Sequence, residues 1–301
     1  SYQTTATDAD ISLGTSTLGD GNGTDTITLN TTGSDGNATL DNGTTAIVLG
    51  TSAASLATSV GGDLTLTSGA TAGITDSATV TVGRNLSATT DDNNGVINLG
   101  TLVVDGTIAL ATNDDANNDS AHATIVNTCS VCSHGLKFAT STVEGNLSAT
   151  ATTGNITQEG ALTVRGTTTL VTSAQAATID LSSITTNGFT GELLITTNDN
   201  DSPADVEYVA DVTIDGGTTN LIIGTSTIDG TLSLLSGGTI TDTNSSTVTV
   251  LKNLSATTDA SNSAITLDGL AVTGSIGLTT HNNGNAAVVN ASALDLAAST
   301  I

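Results

Sequence analysis

A β-branched residue followed four positions later by Leu or Ile recurs along the chain. It falls at Val60/Leu64, Val82/Leu86 and Val104/Ile108, and again at Ile228/Leu232, Val250/Leu254 and Val272/Ile276, with a step of about 22 residues inside each triplet. Val143/Leu147 is followed about one such step on by Val164, and weaker markers lie near Val126, Ile184, Val209 and Val289. The unit is thus about 20–22 residues long, a length typical of solenoid repeats. Between markers, runs such as "GDLTLTS" and "LVVDGTIALAT" alternate apolar with polar, which puts Leu64 and Leu66 on one side of a strand and Thr65 and Thr67 on the other. The pattern predicts short strands and no long helix, since Thr, Ser, Asn, Asp and Gly are poor helix formers.

A longer period overlies the short one. Val60, Val143 and Ile228 each precede a Gly two residues later (Gly62, Gly145, Gly230), which gives a superrepeat of about 84 residues, read as four short units. The segment "NLSATTD" recurs letter for letter at Asn85 and Asn253, and "NLSAT" at Asn146 aligns with "GGDLTL" and "DGTLSL" one coil earlier. The division is 1–58 for N-terminal coils, then superrepeats at 59–141, 142–226 and an incomplete 227–301. Such self-similarity marks a solenoid, in which stacked units bury what none can bury alone. A unit of this length suits one coil of an all-β parallel β-helix, or β-solenoid. About 13 coils at roughly 4.8 Å each give a rod about 60 Å long. Asn-Gly pairs at Asn22, Asn42, Asn94, Asn187 and Asn283 are expected at turns with positive φ. No amphipathic capping helix is legible at either end.

Composition agrees with a thin core. The chain has two Phe, two Tyr, no Trp and no Met, so Val, Ile, Leu and Ala must fill the interior. The same composition fits a disordered segment, but the regular alternation argues against that. Formal net charge is −25, with only Arg84, Lys137, Arg165 and Lys252 as Arg or Lys. So negative a chain repels nucleic acid and attracts cations. No apolar run is long enough to cross a bilayer as a helix. The first residues, "SYQTTATDAD", read as the start of a processed or excised chain.

The string "EGNLSATATTGNITQEGALTVRGTTTLVTS" (144–173) resembles the repeats of filamentous-haemagglutinin-type secreted bacterial surface proteins, and the "ITQ/ITD" element at Ile74, Ile156 and Ile240 is its most specific part. The resemblance implies a right-handed parallel β-helix and an extracellular, cell-surface setting. The expected function is structural: a subunit of a filament or sheath, or a stalk segment of a large adhesin, whose partner is itself, head to tail, or neighbouring repeats of the same chain. The alternative is an adhesin that binds a host or surface receptor through irregular coils, around Cys129 to Phe138 or Gly188 to Tyr208.

Candidate chemistry is sparse. Acidic loops "TNDDANNDS", "TNDNDSPAD" and "THNNGNA" follow equivalent strands, and Asp114, Asp115 and Asp119, or Asp199, Asp201 and Asp205, offer hard oxygens to Ca²⁺; Asp20 and Asp25 in "DGNGTD" form a further candidate. The competing reading is a solvated turn, and no EF-hand or calcium-roll repeat is present. Ca²⁺ is the only cofactor suggested. Cys129 and Cys132 in "CSVCSH" miss the haem pattern and lack a second CxxC for zinc, so a short-loop disulfide is expected; free thiols and interchain bridges remain alternatives. Glycan acceptors are read at Asn22, Asn30, Asn37, Asn42, Asn118, Asn200, Asn244 and Asn290. The chain is not read as an enzyme: polysaccharide cleavage needs paired carboxylates and sugar platforms, whereas Tyr2, Phe138, Phe189 and Tyr208 are few and scattered. His122, His134 and His281 form no triad with a nucleophile. An ice-binding face would need Thr pairs on successive coils, but Thr65/Thr67 gives way to Ser87/Thr89 and then Ala109/Ala111.

Overall fold

The computed structural model describes residues 1–19, 25–50, 57–91, 94–114, 120–130, 132, 134–199 and 209–301. Their regular structure is entirely β-strand, without a helix, and the strands pair in parallel. They form stacked coils of a β-solenoid with about 22 residues per basic turn and about 12 turns counted over two compact units, Ser1–Thr152 and Thr153–Ile301.

In the first unit, one sheet stacks Ile11–Leu13, Ala38–Asp41, Leu64–Ser68, Leu86–Thr90 and Ile108–Ala111. Leu136–Phe138 and Ser141–Val143 share the next position. The inward column runs Ile11, Ala38, Leu64, Leu86, Ile108 and Phe138, all buried. The opposite sheet carries the column Ile47, Ile74, Ile97, Ala123 and Leu147, with Val60, Val82 and Val104 beside it. Each buried Leu, Ile or Val contributes about 1.5–3 kcal/mol, so the many similar small contributions are spread evenly over the coils.

This register corrects the placement of "NLSAT". Leu147–Ala151 pairs with Ala123–Asn127, whereas Leu86–Thr90 pairs with Leu64–Ser68, so the short copy lies in the sheet opposite the one that holds Asn85's strand. From Leu64 the stack rises through Leu86 and Ile108 to Phe138, three coils, and Leu147 follows half a coil later. The superrepeat offset from Leu64 to Leu147 is therefore three and a half coils, not four short units.

In the second unit, the column Ile156, Ile179, Val212, Leu232, Leu254 and Ile276 faces a sheet whose inward positions include Leu221, Ile240, Ile265 and Ala286. Phe138 and Phe189 are fully buried, so neither offers a surface platform. Two of the weaker markers point outward: Val289 is 59% exposed, and Val126 is half-exposed. Of the described Asn-Gly pairs, only Asn94 has positive φ (65°). At "DNG" the left-handed residue is Gly43, because Asn42 is turned inward and fully buried.

Candidate functional site

Residues that look like turn formers build a hydrogen-bonded spine. Asp10, Asn37, Asp63 and Asn85 each stand immediately before a strand of the first unit, and each side-chain Oδ1 accepts the backbone N–H of its successor one coil on. The distances are 2.8 Å to Asn37, 2.8 Å to Asp63, 3.0 Å to Asn85 and 2.9 Å to Thr107. Asp and Asn alternate. Two carboxylates about 5 Å apart would repel, whereas the Asn amides donate to the Asp below: Asn37 Nδ2 to Asp10 at 3.2 Å and Asn85 Nδ2 to Asp63 at 3.1 Å. The second unit repeats the device with Asn155 to Thr178, Asp211 to Thr231 and Asn253 to Ser275. In the opposite sheet of the first unit, His122 takes the role: its Nδ1 accepts the N–H of Asn146 at 2.9 Å.

The glycines of the superrepeat belong to this spine. A Cβ on Gly230 would lie 2.6 Å from both the Ala210 carbonyl oxygen and Asp211 Oδ1, and one on Gly145 would lie 2.7 Å from His122 Nδ1. Only glycine fits above the acceptor. The "ITD" element also bridges coils: Asp76 accepts the N–H groups of Gly100 and Thr101 at 2.9 and 2.7 Å, and Asp242 those of Asp268 and Gly269 at 3.1 and 2.7 Å. Gln158 of "ITQ" turns inward instead and makes a reciprocal amide pair with buried Asn187, 3.0 Å in each direction.

Corners are closed by buried hydroxyls. Thr90 donates to Gly95, Thr112 to Ala121, Thr172 to Ala177, Thr197 to Ala210, Thr258 to Ser263 and Thr280 to Gly284. The same clamp spans 4 residues at Thr280 and 13 at Thr197, so a corner admits an insertion without disturbing the strands. Thr112 and Thr197 also accept the N–H of Glu144 and Asp229, each at 2.9 Å.

The acidic loops spring from these corners. Asp20, Asp115, Asp119, Asp201 and Asp205 lie outside the described residues. Asp25 is exposed and Asp114 half-exposed. Asp199 is buried and already bonded, Oδ1 to the Gln175 amide at 2.8 Å and Oδ2 to the Val209 N–H at 2.7 Å, so it ties the two sides of a corner together. The loops after Thr197 and Thr280 were expected on equivalent strands. Glu192–Asn198 and Ile276–His281 belong to opposite sheets of the second unit, so these loops leave opposite corners and make no common cation-binding column.

Among the other predicted residues, Cys129 and Cys132 are joined, with Cα atoms 5.5 Å apart. Asn127 anchors that loop by donating to Val104 and Gly135 carbonyls at 3.0 and 2.6 Å. Asn30 and Asn42 are buried and closed to a glycan; Asn42 donates to the Leu18 and Ala46 carbonyls. Asn37 and Asn290 have their amides bonded, to Asp10 and to the Val272 carbonyl. Asn244 is exposed, and Asn22, Asn118 and Asn200 lie outside the described residues. His134 Nε2 donates to the Gly106 carbonyl at 3.1 Å, and His281 is exposed. A surface groove of about 390 Å³ is lined by Thr15, Asp41, Gly43, Thr44, Gly69 and Asp91. The Gly43 N–H and then the Thr15 hydroxyl, both bonded to Asp41, hold its carboxyl below the ordinary aspartate value.

Fold and spine define a parallel β-solenoid repeat protein. A family model described as "Repeats of unknown function (DUF5649)" matches residues 126–196. No curated protein and no solved structure matches the chain significantly.

Proposed function

We propose that the chain is a structural segment of an extracellular filament, sheath or adhesin stalk, of the filamentous-haemagglutinin-like build that residues 144–173 suggest. The observation that carries this reading is the uniformity of the coil-to-coil contacts. Asx spine, hydroxyl clamp and glycine recur in both units and leave the machinery devoted to stacking. The unpaired strand edges of a solenoid coil are suited to pairing with a further coil of the same kind, from this chain or a second copy. The short disulfide loop supports an oxidising, extracellular location. Ca²⁺ then screens the acidic surface between neighbours. We read the protein as non-enzymatic; in the surface groove, Asp41 is bonded to the Gly43 N–H and the Thr15 hydroxyl.

Electron microscopy of the purified chain, with and without chelator, tests this. End-to-end strings are expected, shortened by the chelator if Ca²⁺ bridges them. Single-chain particles under both conditions, at every concentration, would reject it. A second reading, receptor binding, is favoured by the segment Cys129 to Phe138, whose two cysteines are joined and whose Gly135 carbonyl accepts from Asn127. Its deletion would then abolish attachment to the receptor-bearing surface and leave strings intact.

A further inference from the structure

The disulfide has a neighbour that the CxxC spacing does not reveal. Strand Ile97–Val104 pairs with Ala123–Asn127, Leu102 opposite Asn127, so the residues just past each strand end meet at one corner. There an oxygen of Asp105 and the sulfurs of Cys129 and Cys132 all lie within 4.8 Å of one another. Cys129 is buried, Cys132 half-exposed and Asp105 exposed, which leaves a solvent-facing side open. Cys132 Sγ sits 3.4 Å from the Val104 carbonyl, a place for a thiol proton once the bridge is opened. His134 Nε2 bonds the carbonyl of Gly106, the residue after Asp105.

We propose that reduction of Cys129–Cys132 converts this corner into a binding site for a thiophilic divalent cation such as Zn²⁺ or Cd²⁺, with Asp105 as third ligand. A dithiol reductant supplies two electrons: the S–S bond breaks, two S–H bonds form with the reductant's two protons, and the reductant becomes a disulfide. On metal binding both thiols release their protons to solvent, and two thiolates and the carboxylate donate electron pairs to the cation. Solvent fills the fourth position. Zn–S and Zn–O bonds of about 2.3 and 2.1 Å place tetrahedral ligands roughly 3.5–3.8 Å apart, so once the bridge is opened the two sulfurs must part from bonding distance by side-chain rotation, while the Asp105 oxygen already lies within 4.8 Å of both. The net charge of −25 attracts the cation, and the bridge keeps the site closed until it is reduced.

The test titrates Cd²⁺ into the full chain after phosphine reduction and follows thiolate-to-metal charge transfer in the ultraviolet. Weak cation binding elsewhere on the acidic surface gives no such band. One Cd²⁺ per reduced chain is expected, none for the oxidised chain, and an affinity about tenfold lower or worse for Asp105→Asn. Circular dichroism checks that reduction and the substitution leave the β-structure in place. Absence of the band, an Asp105→Asn affinity within about twofold of the parent, or loss of β-structure on reduction alone would overturn the proposal.

Discussion

Asp63 Oδ1 accepts the backbone N–H of Asn85 at 3.0 Å, one coil on in the stack. A carboxylate and an amide oxygen serve equally there, because Asn37 and Asn85 do the same work in adjacent coils. Asp63→Asn should therefore change stability by less than about 0.5 kcal/mol, whereas Asp63→Ala should cost about 1 kcal/mol. Amide hydrogen exchange at Asn85 reads the contact locally: protection falls in Asp63→Ala and is kept in Asp63→Asn.

Asn187 carries more. Its Oδ1 accepts from Gln158 and the Leu162 N–H, and its Nδ2 lies 3.0–3.1 Å from Gln158 Oε1 and the Leu181, Ile184 and Asp215 carbonyls. Asn187→Ala strands these groups in the interior and should cost about 3 kcal/mol or more, seen as a lower denaturant midpoint. Asn187→Asp should be as damaging, since it removes the donor that faces four acceptors.

Glycines divide by what stands below them. Gly230→Ala drives a methyl into Ala210 and Asp211 and should destabilise by about 1–3 kcal/mol. Gly14 has nothing within 4 Å, so Gly14→Ala should be neutral or slightly stabilising through the unfolded chain. Equal effects at the two positions in thermal melts would contradict the packing described.

Asp41 gives a pH signature. Its folded pKa is lowered, so its contribution is present above the unfolded value and is lost as pH falls through the folded one. Carbon-detected NMR titration should place Asp41 below ordinary aspartates. Thr15→Ala should move it upward part of the way, because the Gly43 N–H remains.

Much of the architecture is legible along the chain. Val60, Leu64 and their successors are inward columns with the expected regular step, and the glycines at 62, 145 and 230 each lie over a side-chain acceptor, Gly145 in the opposite sheet from Gly62. What misleads is the count of coils per superrepeat. A single Thr hydroxyl closes corners of very different length, so insertions such as that after Thr112 lengthen one coil without any change in its strand pattern. Thus Val126, which keeps the 22-residue step from Val104, points outward. The spine was hidden because Asp and Asn before a strand look like ordinary turn residues. Asp105 could not be joined to Cys129 and Cys132 from spacing, since a whole coil separates them.

Half-coil placement of the repeat is tested most directly by cysteine cross-linking in a Cys129→Ser/Cys132→Ser background. Ala111 is opposite Thr142 in one sheet, and Val126 is opposite Thr150 in the other. Strands about 4.8 Å apart bring such pairs within disulfide reach. Ala111→Cys/Thr142→Cys and Val126→Cys/Thr150→Cys should each cross-link rapidly under mild oxidation. Preferential linking of Ala111→Cys to Ser133→Cys, one short sequence period on, would contradict the half-coil step and restore a stack of uniform coils.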